Sequence, residues 1–287
     1  MTTEWPDGAS ARRVVFLDVD GTYASHGVVP PAHARAVMAA RSAGHLVFLC
    51  TGRPIVMLSQ RLLAAGFDGV VASAGGYVLL HDEVYADTRF SAALSIHALD
   101  ALDAHGVNYV LEAPEALYGA PGVADTIRRV LRETGGAPRD GTGQRHGGLR
   151  DILECLTLRD DLRGVSFAKI ICVDSPVPVV RLASAIGGPV AALPSSITSL
   201  GERVGELYLA DVHKAIGMQL VVDALGKDPS DVIAVGDGLN DLEMLDYAGL
   251  AVAIEGADAR VLAVADRTAP PPERDGLALL FAELGLV

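Results

Sequence analysis

Residues 12–27 read RRVVFLDVDGTYASHG, an apolar run that ends on two aspartates one residue apart, Asp18 and Asp20, followed by Gly21 and Thr22. A short, β-branched-rich apolar segment such as VVFLDV suits a parallel strand buried on both faces. Working outward, PPAHARAVMAARSAG (30–44) has helical spacing, a proline start and a glycine stop. HLVFLCTGR (45–53) is a second buried strand, PIVMLSQRLLAAG (54–66) a predicted helix and GVVASAGG (69–76) a third strand. Strands and helices alternating at such short separations imply right-handed crossovers and a parallel sheet.

The texture changes near residue 89. SAALSIHALDALDAHG (91–106) is a predicted helix, and VNYVLEAP, FAKIICVD, GPVAALP and GELYLA are strands separated by turns. Between them TGGAPRDGTGQRHGG (134–148) is glycine-rich and reads as a loop. After residue 211 the first texture returns: HKAIGMQLVVDALG as a helix, DVIAVGDG as a buried strand, NDLEMLDYAG as a helix and LAVAI as a strand. The expectation is an α/β fold: a Rossmann-like parallel-sheet core domain from residues 1–88 and 211–287, interrupted by an α+β domain at 89–210.

Composition narrows the function. Half of the 287 residues are hydrophobic, enough for a large core, and the net charge is −13 with a pI near 4.9. That balance argues against a nucleic-acid-binding surface, which needs a basic patch. The start, MTTEWPDGASARR, lacks the regions of a signal peptide, and no apolar run reaches membrane-spanning length. Cys50, Cys155 and Cys172 show no metal-site spacing and fit core packing in a reducing compartment. A cytoplasmic location follows as an expectation. Lysine occurs three times, at 169, 214 and 227, so a lysine in a special place stands out.

Ligands of an open parallel sheet bind beyond the carboxyl ends of its strands. Three strands here end in polar residues, FLDVDGT (16–22), FLCTGR (48–53) and AVGDGLND (234–241). Laid side by side, they bring Asp18, Asp20, Thr51, Asp237, Asn240 and Asp241 to one rim. Carboxylates so crowded repel one another and favour protonation, unless a hard cation joins them; Mg²⁺ suits a few carboxylates plus a substrate phosphate. A phosphate beside carboxylates needs donors, which the Thr51 hydroxyl, backbone N–H groups near Gly52, the Asn240 amide and the Lys214 ammonium provide. One aspartate of the pair can then attack phosphorus, and its neighbour two residues on can move the proton of the leaving alkoxide and of water.

These stretches resemble the haloacid dehalogenase-like phosphohydrolases: DVDGT (18–22), TGR (51–53), Lys214 in DVHKAIG and GDGLND (236–241) stand in that family's order. The long insertion between the second and third motifs is similar to that of the Cof-type subclass, IIB, in which an α+β cap covers the core site. FAKIICVD and ADRTAPPPERDGLA resemble a cap strand and the C-terminal segment of the same subclass. The resemblance implies Asp18 as nucleophile and Asp20 as general acid/base. It implies Mg²⁺ held by Asp18, the Asp20 carbonyl and Asp237 with Asp241 in support, and Thr51, Gly52, Lys214 and Asn240 holding the phosphoryl group. It implies small phosphorylated metabolites, often sugar phosphates, as substrates. Two places depart from the pattern: SAGG (73–76) has Ala74 where the subclass carries Asn, and Glu255-Gly256 replaces a Gly-Asn pair.

Simpler readings stand beside these. Asp18 and Asp20 could cap a strand turn, Asp237, Asn240 and Asp241 could cap a helix, and Lys214 could be a solvated helix lysine. Arg53 could reach substrate or pair with an acidic neighbour. His26 reads as a surface residue, and Arg139, Arg145 and His146 lie in the glycine-rich loop, facing either substrate or solvent. A phosphotransferase or sugar phosphomutase would use the same motifs, and a non-catalytic binding protein could keep the scaffold.

Overall fold

The computed structural model describes residues 12–133, 148–194 and 198–287, with backbone alone at 198–200. Arg139, Arg145 and His146 therefore lie outside the described residues. The chain opens with β1 (Val14–Leu17), α1 (Pro31–Ser42), β2 (Leu46–Cys50), α2 (Gln60–Leu63), β3 (Gly69–Ala72), β4 (Tyr77–Leu80) and β5 (Glu83–Asp87). Next come α3 (Ala92–Ala104), β6 (Asn108–Glu112), β7 (Leu117–Gly119), α4 (Val123–Glu133), α5 (Leu149–Cys155), β8 (Leu156–Leu158), β9 (Lys169–Asp174), α6 (Val179–Ile186), β10 (Val190–Pro194) and β11 (Gly205–Leu209). Last are α7 (Lys214–Ala224), β12 (Val232–Gly236), α8 (Leu242–Tyr247), β13 (Leu250–Ile254), α9 (Ala259–Val264), β14 (Arg267–Ala269) and α10 (Gly276–Glu283).

Two sheets result. One has eight strands in the order β14-β13-β12-β1-β2-β3-β4-β5, parallel from β14 to β3 and antiparallel at β4 and β5. The other has six, β10-β11-β9-β6-β7-β8, antiparallel save for the β7–β8 pair. β1 is buried throughout, as its unbroken apolar run requires, and Phe16 stacks on Phe48 of β2 at 5.2 Å. One face of the large sheet packs on α1 and α10 through Val15, Leu17, Val37 and Phe281; the other packs on α7 and α8 through Phe16, Met218, Val221 and Met244. Leu17 is level with Leu49 of β2 and Val235 of β12. The residues that follow these three strands therefore leave the sheet at one rim, where β1 lies between its two neighbours.

The predicted helix at 54–66 is corrected. That stretch holds a 3₁₀ turn at Ile55–Met57, an extended Leu58 and only four helical residues, Gln60–Leu63. Two causes are visible. Ser59 caps the short helix by accepting from the Leu62 amide, which starts it late, and Val56 and Met57 bury against the α4–α5 face of the second sheet instead of along a helix face.

His33 ties α1, the loop after β1 and α10 together. Its ring is fully buried; Leu277 N–H donates to Nε2 at 3.1 Å, so Nδ1 carries the proton and donates to the Tyr23 carbonyl at 3.0 Å. Burial lowers the His33 pKa, partly opposed by the Tyr23 bond. A lowered histidine takes up a proton more readily in the unfolded chain, so this stabilisation is present above the ordinary value near 6.5 and is lost as pH falls. His33→Gln should cost about 1–3 kcal/mol at neutral pH. The gap in melting temperature between wild type and variant should narrow from pH 7 to pH 5, as thermal melts followed by circular dichroism would show.

Candidate active site

Asp18 is the first residue beyond β1, and its amide donates to the Val235 carbonyl of β12 at 2.9 Å. Its side chain is buried against Lys214, the first residue of α7, whose Nζ lies 2.5 Å from Asp18 Oδ1 and 2.5 Å from Asp241 Oδ1. Asp241 is wholly buried; its second oxygen accepts from the amides of Asp237 at 3.0 Å and Gly238 at 2.8 Å, which fixes the turn after β12. Asp237 accepts from the Thr22 hydroxyl at 3.0 Å. Gly21 makes that approach possible: its φ is +90°, and a Cβ there would sit 2.4 Å from Asp237 Oδ2.

Asp18, Asp237 and Asp241 each place one oxygen within 4.8 Å of the others. Burial pushes Asp18 well above the usual carboxylate range, with Lys214 opposing and Asp241 and Asp237 adding to the rise. Burial and then Asp241 push Asp237 up to about 6. Burial works against the charge on Lys214, yet Asp18 and Asp241 outweigh it and raise its pKa. This lysine is therefore a buried, permanently charged ammonium, and the solvated-helix reading is overturned. It is one cation among three carboxylates, and oxygen donors so crowded suit a further hard cation such as Mg²⁺. Cys50 supplies no nucleophile, because burial pushes its thiol up.

The loop after β2 borders this cluster. Thr51 is buried, its amide donates to the Val71 carbonyl at 2.8 Å, and its Oγ1 accepts from Arg53 N–H at 3.1 Å. A Cβ on Gly52 would lie 3.6 Å from the Asn240 amide nitrogen, so that exposed side chain flanks the loop. Asp20 is exposed and stands apart from the three clustered carboxylates. Arg53 holds it through Nε and Nη2, both at 2.6 Å, while Nη1 donates to Asp151 of α5 at 3.0 Å. Of the two readings of Arg53, the structure shows the acidic neighbour. His26 is exposed in a turn.

Three contributors were not singled out from sequence. Thr22 bonds Asp237 although the quoted motif contains it, and Asp151 of α5 and Lys169 of β9 reach the Thr51–Arg53 loop. The scarcity of lysine was the one signal available for Lys169; Asp151 had none.

Ala74 lies in the left-handed region, φ 56° and ψ 34°, in the turn that braces the same loop: its amide donates to Thr51 O at 3.0 Å, and that of Ser73 to Arg53 O at 2.9 Å. Alanine is strained there, whereas asparagine tolerates it. Ala74→Asn should stabilise the protein by about 0.5–1 kcal/mol, seen as a melting temperature higher by roughly 2–3 °C.

Residues 15–281 match the family model of the haloacid dehalogenase-like hydrolases. The candidate phosphatase YkrA of Bacillus subtilis (strain 168) is 25% identical over 279 residues, covering 96% of this chain and 98% of that one. The 5-amino-6-(5-phospho-D-ribitylamino)uracil phosphatase YitU of the same organism is 38% identical over 81 residues, 28% of this chain and 30% of its own. Among solved structures, BT1666 from Bacteroides thetaiotaomicron superposes with a TM-score of 0.75 at 21% identity, all of both chains being covered. The subclass IIB sugar phosphatase BT4131 gives 0.74 at 18% identity, covering 96% of this chain and 100% of that one. Those two likenesses concern the fold, and the family-model match spans both sheets and every motif at the rim. The chain belongs to the haloacid dehalogenase-like hydrolases.

Proposed function

We propose that this hydrolase cleaves phosphate monoesters of small metabolites, sugar phosphates foremost, through an aspartyl-phosphate, with Mg²⁺ as cofactor. The observation that carries the reading is Asp18, a carboxylate at a strand end held between a permanent ammonium and two further carboxylates. An Asp18 oxygen attacks phosphorus; the P–O bond to the leaving group breaks, and Asp20 supplies the proton that the departing alkoxide needs. Water then attacks the phosphorus, Asp20 takes its proton, and the Asp18–phosphorus bond breaks to free phosphate. Thr51, the Gly52 backbone, Lys214 and Asn240 orient the phosphoryl oxygens. Asp18, the Asp20 carbonyl, Asp237 and Asp241 would hold Mg²⁺, which when bound neutralises negative charge on the phosphoryl oxygens. Residues 89–210 form the cap in this reading, closing on the site and excluding water around the leaving group. The names of YitU, a ribityl phosphate phosphatase, and BT4131, a sugar phosphatase, support polyol or sugar phosphates as the first substrates to try.

A panel of phosphorylated metabolites with Mg²⁺, followed by phosphorus NMR, tests this. Free phosphate is the expected product; an isomeric ester would show transfer to a second hydroxyl, and no turnover across the panel would sink the reading.

The cation should also show itself in stability. Asp18 and Asp237 are raised above their unfolded values, so the metal-free folded state keeps protons that the unfolded chain releases. For Asp237 that stabilisation is present near pH 4 and is lost as pH rises through about 6, and Asp18, raised by its burial, acts in the same direction. Cation binding displaces those protons. Saturating Mg²⁺ should raise the melting temperature by roughly 5–10 °C at pH 7.5 and by much less at pH 5. An equal rise at both values, measured by calorimetry with and without chelator, would contradict this.

A further inference from the structure

Lys169 is 3% exposed and lies at the start of β9, directly opposite Glu112 of β6 in the antiparallel register. Its Nζ donates to Glu206 Oε2 of β11 at 2.7 Å and stands 3.3 Å from Glu112 Oε2, an oxygen that accepts no hydrogen bond among the described residues. A cross-strand ion pair would need nothing more. Yet this ammonium also donates, at 3.0 Å, to the carbonyl of Gly52, 117 residues away and in the loop of the other sheet. The peptide unit joining Gly52 to Arg53 is thus gripped at both ends, its C=O by Lys169 and its N–H by Thr51 Oγ1. Because Thr51 Oγ1 accepts from that amide, its own O–H is free to turn toward a phosphoryl oxygen. A cation on the carbonyl polarises the amide and strengthens each bond down the chain.

We propose that Lys169 is a positioning residue for the phosphoryl site, acting through the Gly52–Arg53 peptide on the Thr51 hydroxyl, so that the site is complete only while β9 is docked on this loop. The inference rests on the reading of Thr51 as a phosphate ligand given above, and it adds the group that makes cap docking felt at phosphorus. Lys169 touches neither the phosphate nor the leaving group in this account.

The test compares wild type, Lys169→Met/Glu112→Gln and Glu206→Gln. The double variant removes the bond to Gly52 without leaving Glu112 as a buried, uncompensated anion; the single variant keeps that bond. Calorimetry with inorganic phosphate and Mg²⁺ gives affinity, and kcat and KM are measured for p-nitrophenyl phosphate and a hexose phosphate. We expect the double variant to bind phosphate about fivefold more weakly and to lose a similar factor in kcat/KM for both esters. Glu206→Gln should stay within about twofold. Removing the hydroxyl by Thr51→Val should cancel the effect of the double variant, since both act through one group. Unchanged phosphate affinity with a lower melting temperature would reduce Lys169 to a strut of the second sheet. A loss confined to the hexose phosphate would make it a leaving-group contact. If the double variant does not fold, wild type decides: phosphate binding should slow amide hydrogen exchange at 168–171, and unchanged exchange overturns the proposal. A wild type that neither binds phosphate nor hydrolyses any ester overturns the parent reading, and this one with it.

Discussion

Asp18→Asn should abolish hydrolysis of p-nitrophenyl phosphate, lowering kcat by roughly a thousandfold or more, while the protein stays folded. The substitution is nearly isosteric, and its amide oxygen still accepts from Lys214. It removes the anionic oxygen that must form a bond to phosphorus, and it relieves a buried carboxylate whose pKa burial and two like charges already raise. Melting should therefore hold or rise without the cation, even as turnover vanishes. Loss of activity with retained stability separates a chemical role from a structural one. The neighbouring Asp20→Asn makes the contrast sharper. A proton donor matters most for a poor leaving group, so in kcat/KM, which reports the step that expels it, that variant should lose far more on a hexose phosphate than on p-nitrophenyl phosphate, whose leaving group departs as an anion. Asp18→Asn should damage both alike. An Asp18→Asn enzyme within about tenfold of wild type on the aryl ester would rule out this aspartate as nucleophile.

The readable parts of the chain were those whose structure is decided locally. β1, β2 and β12 are unbroken apolar strands that each end in a polar cluster, and their adjacency follows from the order of a parallel sheet. The acidic cluster was legible for the same reason: every member but Lys214 lies within a few residues of such an end. Residues 54–66 misled because the apolar spacing looked helical, whereas Val56 and Met57 serve a cluster built by α4, α5, β6 and β9. Periodicity records that a side chain is buried, not which element buries it. The contacts of Asp151 and Lys169 with residues 52 and 53 span 98 and 117 positions and obey no spacing rule. Lys169 faces Glu112 through the antiparallel register of β6 against β9, a long-range pairing that nothing in FAKIICVD announces. Arg53 is intermediate. Its residue type offered two partners from the outset, and the fold supplied two acids, Asp20 from the loop after β1 and Asp151 from α5.

Lys214→Met should be strongly destabilising. The ammonium is the counter-charge to Asp18 and Asp241 at 2.5 Å from each, with no measurable exposure of its side chain. Methionine fits the stem but leaves two buried carboxylates facing each other, with a third within 4.8 Å. Removing one partner of a buried ion pair costs about 3–5 kcal/mol, which lowers the melting temperature of a chain this size by roughly 10 °C. The pH dependence gives the cause away. Without the lysine, folding favours protonated carboxylates even more strongly, so the variant should regain stability as pH falls from 7 to 5, where a simple packing defect would not. Mg²⁺ should restore part of the stability by the same logic, since a cation among the carboxylates replaces the missing charge. It should not restore turnover, because the donor proposed to orient the phosphoryl oxygens would still be absent. Lys214→Arg should do little better: the pocket is closed around a compact ammonium, and a planar guanidinium cannot present single donors to both Asp18 and Asp241 from the same point. A Lys214→Met protein that melts within about 2 °C of wild type at neutral pH would mean that the three carboxylates are not held by this charge, and that the cluster is relieved by protonation alone.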